Sequence, residues 1–495
     1  MLSKFLKLQN GTDIRGIAVE NDSHEVNLTD EAVRAIAMGM LKWLEGCENN
    51  SCDKFRIAVG MDSRISGPKI KSEIIRTFES CGVNVIDCNM ATTPAMFMTT
   101  VMESYSCTAA VMITASHLPY FHNGMKIFTK RGGAEKSDIT EILKYASEID
   151  PSIEMNEISG RTTEANLTED YSRFLVYKIM KDTGMSKPLE GLNIIVDAGN
   201  GAGGFFATKV LSSLGADYTG SQFLEPDGMF PNHAPNPEDS AAMKSLSEAV
   251  IRQGADLGII FDTDVDRAAI VGDDGSEINR NSLIALISDI VLREHPGSVI
   301  VTDSVTSNGL SEFISSRGGV HHRFKRGYKN VINEAKRINA EGSEKSYLAI
   351  ETSGHAALEE NYFLDDGAYL IAKILTEVSR LNQEGRKIQS LISDLKQSAE
   401  SMEYRIRITA VDFAEHGKKV LREFEAFGEN TEGLEVVFPN HEGVKLKTED
   451  GWCLLRMSLH EPVMPLNVES DVPGGVSRIM EIIGTFLKNN EGLEF

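Results

Sequence analysis

Arg56-Ile57-Ala58-Val59-Gly60-Met61-Asp62 is a short apolar run with β-branched residues that stops on an aspartate and gives way to a small polar loop and a helix-like stretch. The same unit returns at Asn193-Ile194-Ile195-Val196-Asp197 and at Ser298-Val299-Ile300-Val301-Thr302-Asp303. A buried strand, a polar turn and a covering helix, repeated, are the rhythm of parallel α/β units. The pattern predicts three related α/β domains. Turn formers cluster around Lys187-Pro188-Leu189-Glu190-Gly191, around His295-Pro296-Gly297 and near residues 398–401, which predicts domains at 1–189, 190–297 and 298–400. Residues 401–495 read differently, as a smaller α+β domain: Tyr404-Arg405-Ile406-Arg407-Ile408 alternates, and Trp452-Cys453-Leu454-Leu455-Arg456-Met457 precedes a final helical stretch.

A chain of 495 residues is too long for one hydrophobic core, in keeping with several domains. Its formal net charge of -23 repels nucleic acid and anionic lipid, so the expected partners are small molecules, and an anionic ligand must be held by local cations. No stretch approaches the roughly 20 apolar residues that span a bilayer. The six cysteines form no CxxC pair and no disulfide-dense pattern, which points to a reducing compartment, read as the cytoplasm. Residues 1–9 are too broken in their apolarity for a secretory signal, and a plastid stroma stays open for a chain whose transit peptide has been removed.

Two loops concentrate chemistry. Val111-Met112-Ile113 reads as a buried strand and runs into Thr114-Ala115-Ser116-His117-Leu118-Pro119-Tyr120-Phe121-His122-Asn123-Gly124-Met125-Lys126, a polar loop before Ile127-Phe128 resumes an extended pattern. Open α/β sheets bind ligands beyond the carboxyl ends of their strands, where this loop places a hydroxyl, an imidazole and an amine. A serine is a poor nucleophile until a neighbouring base activates it, and Lys126 and His117 are the candidates. The second loop follows Asp256-Leu257-Gly258-Ile259-Ile260-Phe261 and reads Asp262-Thr263-Asp264-Val265-Asp266-Arg267. Carboxylates at alternate positions of an extended segment point one way and repel unless a cation sits among them. Hard oxygen donors with a phosphate nearby suit Mg²⁺. An EF-hand is excluded, since Arg267 stands where it needs glycine and Asp273 where it needs glutamate.

In chain order these segments resemble motifs of the α-D-phosphohexomutase family, of the phosphoglucomutase/phosphomannomutase type. The first loop resembles TASHNPxxxNGxK, with Leu118 where Asn is usual, and the second resembles DGDxDR, with Thr263 for Gly. Glu351-Thr352-Ser353-Gly354-His355, after the strand-like Leu348-Ala349-Ile350, resembles GExSGH, and Arg456-Met457-Ser458-Leu459-His460 resembles the phosphate-binding loop, with Leu459 and His460 in place of Asn and Thr. Thr12-Asp13-Ile14-Arg15-Gly16 resembles YDIRG, Arg326-Gly327-Tyr328-Lys329 stands where relatives have Gly-His, and Asp197-Ala198-Gly199-Asn200-Gly201 fits the second domain.

The resemblance implies four domains around a central cleft, the first three related mixed α/β units with helices on both faces of the sheet, the last a smaller α+β, TATA-box-binding-protein-like domain that closes over the substrate. It makes Ser116 the phosphoryl carrier and Lys126 its base, with His117 and His355 as further acid-base candidates and Arg15 positioning the serine. It implies Mg²⁺ on Asp262, Asp264, Asp266 and Ser116, with Arg267 beside them. Glu351 and Ser353 would bind sugar hydroxyls, Arg326, Tyr328 and Lys329 the substrate, and Arg456, Ser458 and His460 its non-reacting phosphate. A hexose 1,6-bisphosphate would prime the enzyme, a monomer or homodimer. The Ser-Gly-His ending is more like mutases that accept glucose or mannose phosphates. Two alternatives stay open: a mutase-derived sugar-phosphate binder with little turnover, motivated by Leu118, Tyr328, Leu459 and His460, and a phosphatase with Asp262 as nucleophile.

Overall fold

The structure, a computed structural model, describes residues 2–150, 159–458 and 461–494. Its chain divides into two units, one of Met1–Asn279 with Ser353–Ser390, the other of Arg280–Thr352 with Leu391–Phe495.

In the first unit the run Arg56–Met61 is an interior strand of a mixed sheet, flanked in parallel by Asn84–Met90 and Ala109–Ile113. From Ala109–Ile113 the sheet continues antiparallel through His122–Thr129 to Asp13–Ile17. Strand alternation splits its side chains between two faces. Ile57, Val59, Val111 and Ile113 join one apolar cluster with helices Asp30–Glu48, Gly67–Ser80 and Lys136–Glu148, whereas Ala58, Ala110 and Met112, equally buried, lie outside that cluster. Both faces are therefore covered, which is what an uninterrupted apolar run requires. A second sheet pairs Ile194–Asp197 in parallel with Leu257–Phe261 and continues antiparallel to Ala268–Gly272 and Glu277–Ile278.

In the second unit Val299–Thr302 lies in parallel between Val320–Arg323 and Ser346–Ile350, so all three quoted runs are strands. The rest of that unit is an antiparallel sheet in the order Glu435–Val436, Val444–Lys447, Gly451–Leu455, Val463–Ser470, Glu400–Ile408, Leu493–Glu494. Helices Phe413–Asn430 and Gly475–Lys488 lay Val420, Phe424, Ile479 and Ile483 on Ile406, Leu446, Leu455 and Leu466. This is the smaller α+β domain expected from the alternation. Among the described residues no helix is long and apolar enough to cross a membrane. All six cysteines are free thiols.

Asp197, at the end of its strand, is buried against His233, whose Nε2 lies 3.1 and 3.0 Å from the two carboxylate oxygens and whose Nδ1 lies 2.9 Å from the Ala234 carbonyl. Both ring nitrogens face acceptors, an arrangement that favours the doubly protonated ring. Burial alone would lower the His233 pKa, but Asp197 and the Ala234 carbonyl outweigh it and hold it above its ordinary value. A group with a raised folded-state pKa stabilises fully below its unfolded pKa, about 6.5, and the contribution is lost as pH rises through the folded value. Replacing His233 by glutamine is expected to cost about 3 kcal/mol at pH 6, the scale of breaking a buried ion pair, and clearly less at pH 9. Urea denaturation at the two pH values checks this, and an equal loss at both would disprove it.

Candidate active site

Ser116 sits just beyond the strand Ala109–Ile113. Thr114 Oγ1 accepts its backbone N–H at 2.8 Å, and its φ of +51° lies in the left-handed region that non-glycine residues seldom occupy. The cation that holds this turn is Arg64. Its Nη1 donates to the carbonyls of Pro119 at 2.9 Å and His122 at 3.0 Å, its Nη2 to Leu118 at 2.6 Å and to Ser116. Its Nε lies 3.3 Å from Asp62, the aspartate that ends the opening strand, and both side chains are fully buried. Burial pushes the Asp62 carboxyl up to about 6 against the pull of Arg64. Sequence reasoning passed over Arg64: Asp62 was legible as a strand terminator, but an arginine two residues later carries no local sign of the carbonyls it serves, 52 to 58 positions away. Arg64→Met is expected to lower kcat by roughly 10²-fold, as an ångström-scale misplacement does, and to cost about 3–5 kcal/mol by stranding Asp62. Steady-state kinetics beside thermal melting test it, and an unchanged kcat would remove Arg64 from the loop's support.

The Ser116 hydroxyl donates to Asp262 Oδ2 at 3.1 Å and accepts from Arg267 Nη2 at 3.1 Å. Arg267 Nη2 also meets His117 Nδ1 at 2.7 Å, so that nitrogen is the acceptor. Burial, then Arg267 and Arg15, pull the His117 pKa down to about 3, which keeps the ring neutral. Lys126 is not in a loop: the strand His122–Thr129 begins upstream of it and places Lys126 opposite Met112. The polar His122, Asn123 and Lys126 masked this, since strand pairing with Ala109–Ile113, not side-chain polarity, sets the backbone. Lys126 Nζ pairs with Asp266 and, at 3.2 Å, with Asp264. Gly124 lets two backbones meet beside it, because a Cβ there would lie 2.1 Å from the Ile14 carbonyl. The adjoining strand thereby brings Arg15, bonded to Asp13 at 2.8 Å, alongside Gly124.

The acidic loop also departs from the expected extended form. Residues 262–267 make the turn between antiparallel strands Leu257–Phe261 and Ala268–Gly272, with Val265 buried at a φ of +65°. The carboxylates converge because the turn curls around them and not through strand alternation; a β-branched residue at positive φ is strain that the surroundings must enforce. One ligand oxygen from each of Asp262, Asp264 and Asp266 lies within 4.8 Å of the others. Thr93 donates both its backbone N–H, at 2.9 Å to the Asp264 carbonyl, and its hydroxyl, to the Asp264 carboxylate. Burial first, then Asp266 and Asp264, raises the Asp262 pKa well above the usual carboxylate range. Burial would raise Asp266 too, but Lys126, His355 and Arg267 outweigh it and hold that carboxyl well below the range. Asp264 Oδ1 and Asp266 Oδ1 are buried with no hydrogen-bond donor. Orphaned hard oxygens beside a carboxyl that resists ionisation fit a small divalent cation, Mg²⁺ in particular.

His355 pairs with Arg267 as an antiparallel bridge, with Nε2 3.6 Å from Asp266 and Nδ1 2.8 Å from Ser353 Oγ. Burial pushes its pKa well below the ordinary value although Asp266 opposes this. The first unit thus gathers Arg15, Ser116, His117, Lys126, Asp262, Asp264, Asp266, Arg267, Ser353 and His355. The remaining predicted residues belong to the second unit. There Glu351 Oε1 accepts the Gly327 N–H at 2.6 Å, and Arg326 lies 3.6 Å from Asp303 while its N–H meets Glu442 at 3.1 Å. Tyr328 and Lys329 open the helix Tyr328–Glu341. Arg456, largely buried, lies 3.8 Å from Glu403, and Ser458 Oγ accepts the Glu461 N–H at 3.3 Å. His460 and Leu459 lie outside the described residues.

Three family models match in succession: phosphoglucomutase/phosphomannomutase alpha/beta/alpha domain I over residues 7–152, domain II over 170–275 and domain III over 279–398. The chain is 30% identical over 482 residues to a phosphoglucomutase of Neisseria meningitidis, covering 97% of this chain and 96% of that protein. It is 31% identical over 434 residues to a phosphomannomutase/phosphoglucomutase of Pseudomonas aeruginosa, covering 87% of each. The crystal structure of a phosphoglucomutase/phosphomannomutase family protein from Burkholderia thailandensis shares the fold at a TM-score of 0.81 over the whole of both chains, with 24% identity. The matched models run through most of the chain, and the Neisseria relative extends the match across the fourth domain: the chain belongs to the phosphoglucomutase/phosphomannomutase family, the α-D-phosphohexomutases.

Proposed function

We propose that this protein is a phosphohexose mutase that interconverts hexose 1-phosphate and hexose 6-phosphate, with glucose, mannose or both as the sugar, through a phosphoryl group carried on Ser116. The observation that carries the reading is the Ser116 hydroxyl, 3.1 Å from both Asp262 and Arg267 and next to two carboxylates with orphaned oxygens. Phospho-Ser116 gives its phosphoryl group to the free hydroxyl of the sugar phosphate. The P–O bond to Ser116 breaks, a P–O bond to the sugar oxygen forms, and the hydroxyl proton passes to a base. The bisphosphate turns over, its other phosphate returns to Ser116 Oγ, and the sugar oxygen it leaves regains a proton.

Phosphoryl transfer is mostly positioning and charge neutralisation. Asp262, Asp264, Asp266 and Ser116 would hold Mg²⁺, which when bound would supply Lewis-acid neutralisation of the phosphoryl oxygens. Arg267 supplies fixed positive charge at Ser116, and Arg15 orients the same region. Lys126 moves the proton at Ser116 and His355 the one at the sugar; neutral His117 holds the Arg267 fork in place. Glu351 and Ser353 take sugar hydroxyls, Arg326, Tyr328 and Lys329 the substrate, and Arg456, Ser458 and His460 the phosphate that does not react. A hexose 1,6-bisphosphate primes the dephosphorylated serine. The test is conversion of glucose 1-phosphate and of mannose 1-phosphate with Mg²⁺ and a trace of bisphosphate. Tight binding of both without conversion would leave a sugar-phosphate binder instead.

A further inference from the structure

Basic groups gather in a second place in this acidic chain, wholly inside the unit of Arg280–Thr352 and Leu391–Phe495. The edge strand Val320–Arg323 and the segment 437–445 enclose a cavity of about 200 Å³. Arg323 and Lys445 line it with Glu442 as the one lining carboxylate; His321, His322 and His441 line it too, but His321 is bonded at both ring nitrogens, to Thr302 and Ser311, and His322 pairs with Glu334 at 2.9 Å. The Glu442 carboxylate is engaged, accepting the Arg326 N–H at 3.1 Å and the Ser304 hydroxyl.

Lys445 stands on Val444–Lys447 opposite Leu454 and is only 7% exposed. Its Nζ lies 3.8 Å from the centre of the Trp452 ring and finds no hydrogen-bond acceptor. The nearby carboxylate of Glu469 is bonded to Trp452 Nε1 at 3.0 Å. An ammonium left without an acceptor in a buried site is costly unless it loses its proton or gains a counter-ion. Burial, with Arg323 alongside, pushes the Lys445 pKa well below its ordinary value, and burial lowers Arg323 to about 10. Arg323 binds Thr306 at 3.1 Å through Nε and the Ser307 carbonyl at 2.6 Å through Nη2, which fixes its guanidinium plane at the cavity wall. A water needs roughly 10–15 Å³ on this volume measure, so the space takes an oxyanion with its hydration.

We infer that this cavity is an oxyanion site for a phosphate group, with Lys445 and Arg323 as its charged ligands. The basic residues that line it have no part in the reaction above. A phosphate would give Lys445 Nζ the acceptor it lacks, while Arg323 Nη1, the one guanidinium nitrogen not bonded to a described residue, adds a charged donor.

Trp452 is a reporter already in place. The chain has two tryptophans, so Trp43→Phe leaves Trp452 alone. In that background, inorganic phosphate titrated at constant ionic strength is expected to give a saturable change in emission. The change should persist in Arg456→Met, which removes the substrate-phosphate arginine, and weaken at least about tenfold in Lys445→Met and in Arg323→Gln. Lys445→Met keeps the side-chain volume and removes the unpaired charge, so its melting temperature should not fall. Glucose 6-phosphate is the second arm. A matching response in Arg456→Met assigns the site to the phosphoryl end of a metabolite; a response to inorganic phosphate alone assigns it to the free ion. The inference is overturned by a phosphate response no larger than that to sodium chloride. A response lost in Arg456→Met but intact in Lys445→Met also overturns it.

Discussion

Ser116→Ala is expected to abolish mutase turnover, lowering it by roughly 10⁴–10⁶-fold, the range seen when a covalent nucleophile is removed from an otherwise intact site. The substitution deletes one oxygen from a side chain that is 3% exposed, and the turn around it is held by Arg64 and Thr114, so the loop should stay folded. Arg267 then loses one acceptor and keeps Asp262 and His117. Sugar-phosphate affinity should therefore change only a few-fold while covalent phosphate disappears. Mass spectrometry of wild type incubated with hexose 1,6-bisphosphate should place phosphate on Ser116 and find none in the variant. Phosphate on Asp262, or steady release of inorganic phosphate, would sink the mutase reading and revive the phosphatase one.

Withdrawing magnesium is expected to lower turnover by about 10³-fold, since a Lewis acid at a transferring phosphoryl group supplies several kcal/mol. A readout independent of turnover comes from the carboxylates. Asp262, Asp264 and Asp266 have at most 2% exposure, and without a metal Lys126 and Arg267 offset only part of their mutual repulsion, which leaves the Asp262 carboxyl resisting ionisation. Adding Mg²⁺ to chelator-treated protein should raise the melting temperature by roughly 2–5 °C. Asp264→Ala should lose both that rise and the magnesium dependence of turnover. A melting curve indifferent to Mg²⁺, with Asp264→Ala as responsive as wild type, would remove the metal from this turn.

The parts legible in the sequence were local. Each quoted apolar run is a strand because a fully buried strand needs nothing beyond its own composition, and the serine and acidic loops stand where such strands end. The rest depended on partners remote in the chain. Lys126 reads as loop until Ala109–Ile113 pairs with it, and the acidic segment reads as extended until the strand after it folds back. Arg64 and Thr93 carry no motif: one is known by the carbonyls it binds, the other by Asp264, 171 positions away. Helical and strand periodicity report burial, not which buried polar groups meet.

The division of the chain has a consequence for its synthesis. The first unit takes its last helix, Gly367–Gln383, from beyond the second unit's first segment, and the buried Tyr171 hydroxyl donates at 2.6 Å to Asp366, which caps that helix through the Tyr369 N–H at 2.8 Å. Until Asp366 leaves the ribosome, the Tyr171 hydroxyl lacks this acceptor and the apolar surface that Gly367–Gln383 covers stays open. Roughly 110 residues separate Asn279 from Ser390, about 5–20 s of translation at ordinary rates. For that interval the serine and metal loops already exist on an unfinished unit, which makes it a natural client for a ribosome-associated chaperone and a poor candidate for expression as a fragment ending at Asn279.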